Sequence, residues 1–118
     1  AFYRSSLKSI AIPSKVKRIG DCAFSICTQL VNVDFLDDSE LEFLGNEAFS
    51  YSSINAFFIP SNVSFIGKHA FSNCYKLDIV EIGDNSKLKS LDKEVFLLSQ
   101  IKILVMPSNL SETIQLNF

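Results

Sequence analysis

The sequence predicts a β-rich α/β solenoid of about five stacked coils, each carrying short parallel strands and one helical or 3₁₀ turn. Three observations predict it. An Ala-Phe pair recurs at Ala1-Phe2, Ala23-Phe24, Ala48-Phe49 and Ala70-Phe71, and in altered form at Val95-Phe96. Successive phenylalanines of this series are 22, 25, 22 and 25 residues apart, so short and long coils alternate in a double unit of 47. All three prolines, Pro13, Pro60 and Pro107, keep the 47-residue spacing, as do Cys27 and Cys74. Self-similarity at a period of roughly 20 to 50 residues marks a chain whose units each bury an apolar face against their neighbours.

Within a coil, the first element is a strand. Its apolar pattern, Leu-x-x-Ile-x-Ile, appears as Leu7, Ile10, Ile12; Leu30, Val33, Phe35; Ile54, Phe57, Ile59; Leu77, Val80, Ile82; and Ile101, Leu104, Met106. The last two positions alternate with period two, as in a strand that buries one face. Pro13, Pro60 and Pro107 follow at once in the short coils, where a fixed φ and a missing N–H end the strand. In the long coils Asp37-Asp38-Ser39 and Gly83-Asp84-Asn85-Ser86 make the turn instead.

A second apolar pair comes after the turn: Val16 and Ile19, Leu41 and Leu44, Val63 and Ile66, Leu88 and Leu91. Gly20, Gly45 and Gly67 come next, with Asp92 in the fourth coil, which suggests a turn at positive φ. The Ala-Phe segment that follows is too short for a free-standing helix, so packing must hold it, with the ring inward and stacked on its counterparts. Phe49 and Phe71 are expected to be fully enclosed.

Composition is compatible with this organisation and excludes several functions. At 118 residues and 47% hydrophobic, the chain is long enough for a single-domain core. A net charge of −2 offers no basic field for nucleic acid. No apolar run reaches the roughly 18 residues of a membrane span, so no membrane insertion by this segment is expected. Opening in mid-repeat, the sequence reads as a piece of a longer solenoid, one domain over 1–118 in which 111–118 forms a degenerate repeat or a cap.

The string Leu-x-x-Ile-x-Ile-Pro-x-x-Val-x-x-Ile-Gly-x-x-Ala-Phe-x-x-Cys resembles the BspA-type leucine-rich repeat of surface proteins in bacteria and in protists such as Trichomonas. It runs from Ala1 to about Leu110, with Val95 for Ala, Asp92 for Gly, and Ser5, Ser52 and Ser99 for Cys. The resemblance implies a right-handed leucine-rich-repeat arc at a cell surface or outside the cell. It also implies adhesion or recognition of a protein partner, such as a host or extracellular-matrix protein, and no catalysis. An intracellular scaffold or spacer without a ligand of its own is the alternative.

The residues argue against an enzyme independently. His69 is the one histidine and occupies a slot filled elsewhere by Cys22, Glu47 and Glu94, which reads as a rim position. No phosphate loop, nucleophile elbow or metal-ligand spacing occurs, so no cofactor and no metal are expected. Cys27 and Cys74 lie two coils apart, beyond disulfide reach, and read as small buried hydrophobes; Cys22 reads as a free thiol. Asn62-Val63-Ser64 and Asn109-Leu110-Ser111 are sequons at which Asn62 and Asn109 could carry glycan, although turn chemistry is the preferred explanation.

Function is therefore sought on side chains that the fold does not need. The outward strand positions run Ser9, Asn32, Ala56, Ile79, Ile103 in one row and Ala11, Asp34, Phe58, Glu81, Val105 in the next. Phe58, Ile79, Ile103 and Val105 would make an apolar patch beside Asp34 and Glu81, the kind of surface that receives a partner. Phe43 and Phe65, with Arg18, are expected to stack across the second strand row.

Overall fold

In a computed structural model the described residues are 2–99, 101–105 and 115–117, excluding the side chains of 92, 93 and 115–117. Met106, Pro107, Asn109 and the 111–114 part of the tail lie outside them. The longer strands are β1 (Ser9–Ile12), β3 (Asn32–Phe35), β5 (Ala56–Ile59), β7 (Ile79–Ile82) and β9 (Ile103–Val105). Between them fall the shorter β2 (Arg18–Ile19), β4 (Phe43–Leu44), β6 (Phe65–Ile66), β8 (Ser90–Asp92) and β10 (Gln115–Asn117). Every pairing is parallel and joins one coil to the next, the pattern of a β-solenoid. Register follows the repeat: Ile10 opposes Val33, and Phe57, Val80 and Leu104 oppose one another in turn.

The core is one column. The rings of Phe2, Phe24, Phe49, Phe71 and Phe96 lie parallel, with successive centroids 5.2, 5.2, 5.4 and 5.6 Å apart. Offset stacking of this kind adds about 0.5–1.5 kcal/mol per pair to the burial itself. Leu30, Ile54 and Leu77 from the first pattern and Leu41, Leu44 and Val63 from the second close around it, all fully buried. Cys27 and Cys74 fill the remaining space: the Cys27 thiol donates to the Phe2 carbonyl at 3.0 Å and Cys74 to that of Phe49 at 3.1 Å. Neither thiol is in a disulfide, and nor is Cys22.

The Ala-Phe segment takes a 3₁₀ helix once, at Lys93–Phe96. In the three coils before it, overlapping turns replace the helix. Ala23, Ser25 and Cys27 donate three residues back, to Gly20, Cys22 and Phe24, while the amides between them, Cys22, Phe24 and Ile26, donate to Asn46, Ala48 and Ser50 of the next coil. Alternate amides thus serve the turn and the stack. That alternation requires left-handed backbone at Cys22, Ile26, Glu47, Tyr51, His69 and Asn73, with φ between 56° and 61°.

The glycine slot needs correction on this point. No glycine has positive φ; Gly45 and Gly67 are there because coils touch. A Cβ on Gly45 would lie 2.5 Å from the Asp21 nitrogen and 2.6 Å from the Gly20 carbonyl carbon, and Gly67 meets Asn46 and Gly45 in the same way. Left-handed geometry falls two residues later, on side chains the sequence leaves variable.

Candidate functional site

Strand geometry delivers the two outward rows as expected. All ten positions are exposed, because each alternates with an inward residue of the apolar pattern. Ile79 and Ile103 are direct cross-strand neighbours, and so are Glu81 and Val105. Phe58 pairs with Glu81, placing the ring diagonal to Ile79. Phe58, Ile79, Ile103 and Val105 are 41%, 37%, 51% and 40% exposed, high for side chains of their size.

One feature of this face has no precursor in the repeat pattern. β1 pairs with β3, β5 with β7, and β7 with β9, but β3 and β5 are not hydrogen-bonded to each other. The coils still join on either side of the interruption. Ser53 donates to the Leu30 carbonyl before it, and the Asn62 side-chain amide donates to the Ser39 carbonyl after it. Between the two strands lies a cleft of about 210 Å³, floored by Val33 and Phe57. Asn32 and Asp34 form one wall, Ala56 and Phe58 the other, and Ile79 and Glu81 the far rim.

The opening coincides with the ring of Phe57. Ile10, Val33, Val80 and Leu104 hold the same slot in the other coils, so only here does an aromatic ring enter it. Phe57 packs edge to face on Phe35 with centroids 5.6 Å apart at 82°, and tilts onto Phe71 at 4.6 Å. The rings of the main column lie parallel, whereas Phe35 and Phe57 meet at right angles, and the interruption of the strand column falls at that contact. The unusual Phe57 was the one sequence signal for the cleft; its consequence for strand pairing was not legible from alternation alone.

Asp34 and Glu81 flank Phe58 along the outer row. The one ion pair among the described residues is Lys68 with Glu94 at 4.0 Å, so both carboxylates stand without a cationic partner there. Neither outward row contains a lysine or arginine.

The remaining singled-out residues have structural roles. Phe43 and Phe65 stack at 5.0 Å, and the Arg18 guanidinium lies 3.9 Å above the Phe43 ring. Asn62 is half-buried with its Nδ2 directed at Ser39. His69 is half-buried, and its carbonyl accepts from Ser72. Asp21 and Asn46 cap the next coil, each side-chain oxygen accepting a backbone N–H, at 2.8 Å from Asn46 and 2.9 Å from Lys68. Among the described residues no group of three or more His, Cys, Asp or Glu could hold a metal. None of their helices is long and apolar enough to cross a membrane.

Comparison with known proteins gives a consistent picture. The model of the BspA type leucine rich repeat region matches residues 1–118 in six copies. The pneumococcal vaccine antigen PcpA is similar in structure, with a TM-score of 0.71 and 25% identity over 86% of this chain and 31% of that one. A leucine-rich cell surface protein of Faecalibacterium prausnitzii gives 0.62 and 30% identity, over 69% of this chain and 20% of that one. A leucine-rich repeat protein of Bacteroides ovatus gives 0.60 and 27%, over 81% and 30%. The chain thus spans less than a third of the length of these structures. No curated protein matches it in sequence.

Proposed function

Because the chain belongs to the BspA-type leucine-rich repeat family, we propose that it is a non-catalytic protein-binding module, displayed at a cell surface, that holds a partner protein on its strand face. The observation that carries this reading is the cluster of exposed apolar side chains, Phe58, Ile79, Ile103 and Val105, on successive strands of a face whose inward residues alone satisfy the core. Apolar side chains so grouped, with polar neighbours at their rim, fit a partner surface better than free solvent. Similarity to a vaccine antigen and to a cell surface protein supports the location. A host or extracellular-matrix protein is the partner class that fits such a location.

A solid-phase assay on a panel of immobilised extracellular-matrix proteins tests the proposal, comparing the parent chain with a Phe58→Asp, Ile79→Asp double variant. Both substitutions are at exposed positions, and because Asp at 58 would face Glu81 across the strands the double variant should unfold at a lower temperature than the parent, with circular dichroism establishing that it is folded at the assay temperature. Loss of at least tenfold in affinity for the captured protein is expected. Undiminished binding by a folded double variant would remove the strand face from consideration.

A further inference from the structure

We propose that the cleft between β3 and β5 is the specificity-determining part of this face and receives a basic side chain, arginine or lysine, presented by an extended segment of the partner protein. The proposal rests on the strand-face reading above and adds the chemistry of its central contact.

Three independent features converge on that occupant. The first is size: at about 210 Å³ the cleft falls below the roughly 300–1,000 Å³ typical of small-molecule sites, and suits one long side chain. The second is charge, since Asp34 and Glu81 stand on either side of Phe58 with no cation on either outward row and no ion-pair partner among the described residues. The third is the ring itself. Phe58 is 41% exposed at the mouth of the cleft, and an exposed aromatic face attracts a guanidinium or ammonium through its quadrupole. The chain already makes such a contact internally, where Arg18 lies over Phe43. Asn32, on the wall beside Asp34, adds an amide that can accept from further N–H groups of the same cation. A carboxylate in place of the cation would meet two like charges and no cation in the lining. An apolar side chain would fill the space but leave Asp34 and Glu81 unanswered.

Ile79 and Ile103 continue the same face beside the cleft, so residues flanking the cation along the partner's segment should be apolar or β-branched.

The test uses the isotope-labelled 118-residue chain and two capped peptides as probes, acetyl-Thr-Val-Arg-Val-Thr-amide and its citrulline twin. Citrulline keeps the shape of arginine and removes its charge. Amide shifts in residues 32–34 and 55–58 are expected to move with the arginine peptide and to require at least tenfold more of the citrulline peptide. In the Asp34→Asn, Glu81→Gln variant, whose substitutions are exposed and isosteric, the difference between the peptides should vanish. Equal binding of the two peptides, shifts confined to other residues, or no shifts at all would overturn the proposal. Its failure is separable from that of the strand-face reading. A matrix protein whose capture needs Phe58 and Ile79, but is indifferent to the Asp34→Asn, Glu81→Gln change, keeps the face and overturns the basic-residue preference.

Discussion

Phe49 and Phe71 have no exposed surface, and each stacks on a ring above and a ring below. Truncating either to alanine removes both stacks and leaves a cavity that parallel strands cannot close by collapse, so a cost of about 3–5 kcal/mol is expected in denaturant titrations. The glycines give a sharper contrast. A Cβ at Gly67 would lie 2.5 Å from the Asn46 backbone nitrogen, whereas at Gly20 it would meet nothing within 4 Å. Gly67→Ala should therefore destabilise the chain by about 1–3 kcal/mol through overpacking, while Gly20→Ala should be neutral or slightly stabilising. Thermal unfolding of the pair decides it. Burial pushes the Cys74 thiol above its ordinary value of 9.0, while a hydrogen bond with Ser52 works against it, and burial raises the Cys27 thiol in the same direction. The folded chain then keeps a proton that the unfolded chain releases above about pH 9. The contribution of this thiol to stability is constant below that value and is lost as pH rises past it, so a Cys74→Ala variant should show a shallower fall in stability above about pH 9 than the parent.

At the scale of elements, the two strand columns differ in how completely they pair. β7 has a partner on each side, while β5 has one. Amide hydrogen exchange should accordingly be slower for β7 than for β5, where the amides directed toward β3 lack a ladder. Much of this architecture was legible beforehand. The period-two alternation placed Ile10, Val33, Val80 and Leu104 inward and all ten outward residues on the surface, because a strand has only two faces. The Phe column was legible because a fixed repeat in register must align like with like. What could not be read was backbone conformation inside the turns. Left-handed φ falls on Ile26 and Tyr51, side chains that no propensity favours there, because alternate amides must reach the neighbouring coil. The glycine pattern at Gly45 and Gly67 suggests a conformational need, whereas its cause is steric contact between coils. The cleft is harder to read: the apolar pattern records that an aromatic ring enters the slot at Phe57, but not whether the strands on either side of it pair.

The whole molecule is a stack, 39 × 30 × 19 Å, in which each coil bonds to its neighbours and almost nothing else. Stability in such a stack is close to a sum of coils and of interfaces between adjacent coils. A recognition face built on it is rigid along the strands, and that suits a surface whose binding side chains are supplied one or two per coil. The account depends on one register running through every coil, with each ring of the column stacked on the next in line and Phe57 lying against Phe49 and Phe71 alone of that column. Double-mutant cycles with Phe→Leu substitutions test this most directly, since each single change is mild enough to leave the chain folded. Adjacent rings, Phe49 with Phe71, should show a coupling of about 0.5–1.5 kcal/mol, and alternate rings, Phe24 with Phe71, should show none beyond about 0.3 kcal/mol. Equal coupling for the two pairs, or none for Phe49 with Phe71, would contradict the single stacked column.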